Sequence, residues 1–265
     1  MELNLSGKTV IVTGGGSNIG RGIVLGFAKE RSNVVIADTD EEQANKVVAE
    51  ASALGGNVMS VKCDVTDIES VTHMIKRTLD EFGEIDVLVN NVGWLMYNTL
   101  RRKPLAECDK EISLNIWSVV NCTKSVLDYM ITRKYGKIIN ISSVAGLFGS
   151  RRVPIYSLSK GGIVAFTKSL AQEVGKYGIN VNAICPSTTL PESQDHVGKL
   201  AMTKDTSPQA SEFTPELIDM HTKLSPLGRI GKAEDIANAA VFLASDAASF
   251  ITGEAIAVSG GFPML

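Results

Sequence analysis

Seven short segments rich in β-branched residues recur along the chain, and helix-patterned stretches separate them. The strand-like segments are residues 8–13 (KTVIVT), 33–37 (NVVIA), 57–62, 86–89 (DVLV), 137–141 (KIINI), 179–184 and 255–258. Short apolar runs bounded by glycine or polar residues read as strands buried on both faces. Residues 19–30, 41–54, 68–82, 113–133, 154–177 and 234–244 read as helices; Ile23, Val24 and Phe27 share one face of the first. Strict alternation admits few solutions. Crossovers between parallel strands are right-handed, so helices cover both faces of one sheet. No linker, repeat or low-complexity tract interrupts residues 1–265, and a single domain is expected.

Bulk properties narrow the function classes. A net charge of −3 recommends no nucleic-acid partner. The start lacks a basic region leading into an apolar run, and no window of about 18 uncharged apolar residues occurs, so neither a signal peptide nor a membrane span is expected. Cys63, Cys108, Cys122 and Cys185 lack CxxC spacing and read as reduced thiols of a cytoplasmic protein. His73, His196 and His221 lack ligand spacing, so no metal is expected.

The turn between the first strand and first helix is Thr13-Gly14-Gly15-Gly16-Ser17-Asn18-Ile19-Gly20. Glycines there let backbone approach a pyrophosphate, and the helix N-terminus adds free N–H groups and partial positive charge. Asp38 ends the second strand, about 20 residues on, where a carboxylate accepts from ribose hydroxyls and repels a 2′-phosphate. That favours NAD over NADP. Its alternative role is to cap the following helix, in a turn crowded by Asp40, Glu41 and Glu42. The fold class is therefore α/β, a Rossmann-type doubly wound parallel sheet of about seven strands.

Tyr156 and Lys160 are four apart on an expected helix and share a face. Free tyrosine, with a pKa of about 10, is a poor acid–base catalyst near neutrality, and a neighbouring ammonium lowers it. Alone, such a pair is usually a solvated helix face. Residues 187–225, rich in proline and polar side chains, break the rhythm after the sixth strand and read as a substrate lid.

Taken in order, the motifs resemble the short-chain dehydrogenase/reductase family over essentially the whole chain. They are the Thr13–Gly20 turn, Asp64-Val65, Asn90-Asn91-Val92-Gly93, Asn115 in Leu-Asn-Ile, Ser143 in Ile-Ser-Ser, Tyr156 and Lys160. The family's spacing to Tyr156 selects Ser143 over Ser142. The resemblance implies a catalytic set of Asn115, Ser143, Tyr156 and Lys160. Tyr156 would exchange a proton with the reacting oxygen, Lys160 would lower its pKa and hold the nicotinamide ribose, Ser143 would hydrogen-bond the oxygen, and Asn115 would hold a water leading from Lys160 to solvent. It implies cofactor contacts from Gly14, Ser17, Asn18, Ile19, Gly20, Asp38, Asp64, Val65, Asn90, Asn91, Val92, Gly93, Tyr156, Lys160, Pro186, Thr188 and Thr189. Asn18, Ser187 and Ser259 depart from the family pattern, and Pro191 stands where a threonine is expected. Asparagine tolerates positive φ, so the turn is expected to survive Asn18.

Trp94, Met96, Val144, Phe148 and Arg152 are candidate substrate-pocket residues, with Leu190 and Met202 on the lid side; Leu95 and Leu147 read as core. The pocket suggests a mainly apolar substrate, cyclic, aromatic, or a β-hydroxyacyl-CoA ester whose anionic part meets Arg151 and Arg152. The expectation is an NAD-dependent enzyme interconverting a secondary alcohol and a ketone. The resemblance implies a homotetramer built on the helices at 113–133 and 154–177. An inactive structural subunit of a hetero-oligomer and a dinucleotide sensor are the alternatives.

Overall fold

The computed structural model describes residues 2–199 and 214–264. Its strands are β1 (Thr9–Thr13), β2 (Asn33–Asp38), β3 (Asn57–Lys62), β4 (Val87–Asn90), β5 (Gly136–Ile141), β6 (Ile179–Pro186), the short β7 (Thr189–Leu190) and β8 (Gly231–Lys232), and β9 (Ala255–Val258). Seven of them form one parallel sheet in the order β3-β2-β1-β4-β5-β6-β9, while β7 and β8 pair separately. The helices are α1 (Asn18–Lys29), α2 (Glu41–Ala53), α3 (Ile68–Phe82), α4 (Leu105–Ile112), α5 (Ser118–Arg133), α6 (Ala145–Phe148), α7 (Pro154–Val174), α8 (Pro215–Leu224) and α9 (Ala233–Ala244).

Side chains alternate across the pleat and build two cores. Val10 and Val12 of β1, Val34 and Ile36 of β2, and Val87 and Val89 of β4 face α1, α2 and α9. Ile11, Val35 and Leu88 face the opposite way, toward α3, α5 and α7. Both faces are covered, as the continuous apolar strands require. Asp40 caps α2 by accepting from Gln43 N at 3.2 Å, and Gly83 ends α3 in the left-handed region.

Three helices lie outside the expected set. Helix α4 inverts the usual pattern: Leu105 is exposed while Glu111 is buried. A π-helical turn, Ser113–Trp117, joins α4 to α5, so the helix expected from residue 113 runs on from Leu105. Helix α8 falls within residues 187–225, where Pro215 opens it and Thr214 caps it by accepting from Leu217 N. Met202 and the centre of that expected lid lie outside the described residues.

Candidate active site

The chain leaves β1 toward β2 and β3 on one side and leaves β4 toward β5 and β6 on the other. The two turns at their carboxyl ends therefore flank a crevice, the place where such sheets bind ligands. Gly14 has φ +63°, and a Cβ on Gly20 would lie 2.0 Å from the Gly14 carbonyl oxygen, so no side chain fits there. Asn91 sews the two turns together. Its Nδ2 donates to the carbonyls of Thr13 and Gly14 at 3.0 Å each, and Thr13 Oγ1 accepts from Asn91 N at 3.0 Å. Val92 packs within reach of Gly14. Asn90, expected to line the ribose side, instead points into the interior, where its amide donates to Thr123 and Asn140.

Asn18 opens α1 at φ +39°, a conformation asparagine tolerates, and its Nδ2 donates to Thr189 O at 3.4 Å. Its Oδ1 is buried without a partner. Ser17 makes no capping bond to α1; its hydroxyl accepts from Gly198 N at 3.1 Å. The α1 amides thus stand uncapped at the crevice, the arrangement that binds phosphate. Ile19 packs into the core below. Asp38 accepts from Gly16 N at 2.9 Å and from Asp40 N at 3.0 Å. Burial raises its pKa, and those two amide bonds pull it back. Asp64 accepts from the backbone and hydroxyl of Thr66, while Val65 is buried and its carbonyl accepts from Asn121.

Residues 193–199, within the expected lid, lie across the Asp38 end of the crevice. Gln43 Nε2 donates to Asp195 O at 2.9 Å, Lys199 N donates to Asp40 at 2.9 Å, and Lys199 pairs with Glu42. Pro186 ends β6, and its carbonyl accepts from Val144 N. The hydroxyl of Ser187 donates to Ser259 O, joining two positions that depart from the family pattern. Thr188 Oγ1 lies 3.0 Å from His221 Nδ1 on α8, a partnership between residues 33 apart that no spacing rule reveals.

On the other side of the crevice, β5 and α7 bring Ser143, Tyr156 and Lys160 together. Ser143 stands beside Tyr156 and pulls its phenol pKa down, and Ser143 Oγ accepts from Ala145 N at 3.1 Å. Ser142 is spent elsewhere, donating to Lys160 O at 2.8 Å. Lys160 Nζ donates to Ile141 O at 2.8 Å and lies 5.6 Å from the Tyr156 ring centre. Gly93 faces this lysine; a Cβ there would lie 3.0 Å from Lys160 Nζ and 3.2 Å from Asn115 Oδ1. Asn115 sits in the π-helical turn, a distortion that recurs at functional sites. Its side chain is fully engaged by Trp94 and Glu111.

Burial raises the Tyr156 phenol above its ordinary pKa, and Ser143 pulls it down. Burial also presses Lys160 down, from 10.5 to about 8.

The pocket candidates divide. Trp94 is buried with its ring under Lys110 of α4, whereas Leu95, read as core, packs on the Ala145–Val153–Tyr156 cluster. Val144 immediately precedes α6, Phe148 stacks edge-on to Phe262, and Met96 is held by its backbone. Arg152 is exposed at φ +69°, and its carbonyl accepts from Asn98 N.

A parallel sheet with a glycine-rich turn on one side of its crevice and a tyrosine–lysine helix on the other is the arrangement of an oxidoreductase that uses a nicotinamide cofactor. The chain belongs to the short-chain dehydrogenase/reductase family. The family description that matches residues 14–263 is "Enoyl-(Acyl carrier protein) reductase". Among curated proteins, 3-oxoacyl-[acyl-carrier-protein] reductase FabG of Thermotoga maritima is 35% identical, covering 98% of this chain and 99% of its own. The FabG of Staphylococcus aureus is 37% identical, covering 97% and 98%. The (2S)-[(R)-hydroxy(phenyl)methyl]succinyl-CoA dehydrogenase subunit BbsD of Thauera aromatica is 35% identical, covering 98% of each. No helix among the described residues is long and apolar enough to cross a membrane.

Proposed function

We propose that the protein is an NAD-dependent oxidoreductase that interconverts the β-hydroxy and β-oxo forms of an acyl thioester. The observation that carries the reaction class is the grouping of Tyr156 with Ser143 and Lys160 at the edge of the crevice, the Lys160 ammonium lying 5.6 Å from the Tyr156 ring centre. The substrate class follows the relatives' names, which describe an acyl group on a carrier protein and on CoA.

The glycine turn and the uncapped α1 fit a dinucleotide pyrophosphate, with Gly14, Ser17, Asn18, Ile19 and Gly20 around it. Asp38 would hold the adenosine ribose, Asp64 and Val65 the adenine end, and Asn91, Val92, Gly93, Pro186, Thr188 and Thr189 the nicotinamide half. When bound, the cofactor supplies or accepts the hydride. Tyr156 Oη gives its proton to the ketone oxygen in reduction and takes it back in oxidation. Ser143 orients that oxygen, and Lys160 holds the nicotinamide ribose. Residues 187–225 serve as the lid of a single domain, and Leu95, Val144, Phe148 and Arg152 line the substrate side.

The partners of Asp38 are backbone amides, with the Asp40 carboxylate nearby, which favours NAD over a 2′-phosphorylated cofactor. Asp38→Ala is expected to weaken NADH binding about tenfold, the loss of roughly 1.4 kcal/mol of hydrogen bonding, and to leave NADPH binding equal or stronger. Fluorescence titration of both cofactors tests this; tighter NADPH than NADH binding by the parent chain would refute the NAD assignment. Exposed Trp117 and Leu158 support a homotetramer built on α5 and α7, and a compact monomer in solution scattering would contradict it. The Thauera relative, named as a subunit, supports a hetero-oligomer as the second reading.

A further inference from the structure

The segment after Gly93 crosses the site without regular secondary structure up to α4. Backbone groups in such a stretch need partners elsewhere. Here the partners are side chains from α4, its π-helical turn and the segment's own end. Asn115 Oδ1 accepts from Trp94 N at 3.2 Å, and its Nδ2 donates to Trp94 O at 2.6 Å. Two residues on, Glu111 Oε1 accepts from Met96 N at 3.3 Å, and Lys103 Nζ donates to Met96 O at 3.0 Å. Lys103 and Glu111 also bond each other directly, and both side chains are fully buried. The Glu111 carbonyl accepts from Asn115 Nδ2 at 2.7 Å, closing the chain of contacts. Trp94 and Met96 are therefore gripped as a neighbouring strand would grip them.

Fixing the backbone at two alternate residues fixes the turn of the residue between them, and successive side chains of an extended stretch point to opposite faces. Leu95 accordingly packs on the cluster that contains Tyr156. Apolar residues would fill the volume of a buried ion pair at comparable or better stability. They would offer nothing to the N–H and C=O of Met96, whereas a carboxylate and an ammonium satisfy both at once.

We propose that Lys103 and Glu111 are positioning residues that, through Met96, hold Leu95 as the wall against which a substrate meets Tyr156. The identity of what touches that wall rests on the reductase reading above; the clamp itself does not.

The test uses the full chain carrying Lys103→Met with Glu111→Leu, an apolar pair of similar volume, beside Glu111→Gln. Hydrogen exchange at the Met96 amide reads the clamp, and steady-state rates with NADH and acetoacetyl-CoA read the wall. The apolar pair is expected to exchange at least tenfold faster at Met96 and to melt no lower than the parent. Its KM is expected to rise at least fivefold, with the NADH Kd within twofold. Glu111→Gln keeps an oxygen for Met96 and loses the charge, so both of its readouts are expected between those of the parent and the pair. Parental exchange at Met96 in the folded pair overturns the proposal, as does faster exchange with an unchanged KM. Should the pair fail to fold, Glu111→Gln decides in the same way. A parent chain that turns over no acyl thioester defeats the reductase reading, while exchange at Met96 still decides the clamp.

Discussion

Tyr156→Phe is expected to lower kcat about 10²–10⁴-fold in both directions, the range a positioned proton donor contributes, with the NADH Kd within about twofold. Phenylalanine keeps the ring and its packing on Ala145 and Val153 and removes only the hydroxyl. The sign of the pH dependence follows from burial. A phenol raised above its ordinary pKa of 10 is protonated at neutral pH, so the donor for ketone reduction is ready. Alcohol oxidation needs the deprotonated form. Its kcat/KM is therefore expected to climb with pH, while reduction shows no corresponding rise. Initial rates in both directions across pH 6–10 check this; a loss under about tenfold in the variant would point to a different proton donor.

Lys160→Met is expected to abolish turnover and yet stabilise the fold at pH 7. Burial presses the ammonium from 10.5 to about 8, a penalty of roughly 3 kcal/mol. Loss of the bond to Ile141 O offsets about 1.5 kcal/mol or more of the gain, leaving a net advantage of about 1 kcal/mol. Because the folded pKa lies below the unfolded one, the folded parent binds fewer protons between about pH 8 and 10.5 and gains stability as pH rises there. The penalty is complete below pH 8 and gone above 10.5. The advantage of the variant is thus expected to shrink from pH 8 upward and to vanish or reverse by about pH 10. Urea unfolding of both proteins at pH 7 and 9.5 measures it; an advantage that grows with pH would show that the lysine is not charged and desolvated in the folded state. Such a trade of stability for a functional group is common at active sites.

The sheet was legible because each of its central strands is a contiguous apolar run whose alternate residues feed two cores, as Val10, Ile11 and Val12 do. The crevice was legible for the same reason: the glycine turn and Asn90–Gly93 follow two such runs directly. Tyr156 and Lys160 were visible as a helical pair, but Ser143 and Asn115 needed the family resemblance. A π-helical turn leaves no periodic trace, and the Asn115 amide is spent on the backbone of a loop. Helix α4 stayed hidden because its leucine is exposed and its glutamate buried. Lys103 and Glu111 lie on either side of Pro104 and read as solvated charges until the fold removes water from both. His221 meets Thr188 only through the return of α8 to the crevice. Pairwise contacts across an irregular segment carry no spacing signal, whereas elements with a fixed repeat do.

The measurement that bears most directly on the central claim is the initial rate of cofactor oxidation by the parent chain with acetoacetyl-CoA, with NADH and NADPH run side by side. Turnover with NADH, at a kcat/KM at least tenfold above that with NADPH, is the expected result. No turnover with either cofactor, together with no NADH binding at millimolar concentration, would contradict it.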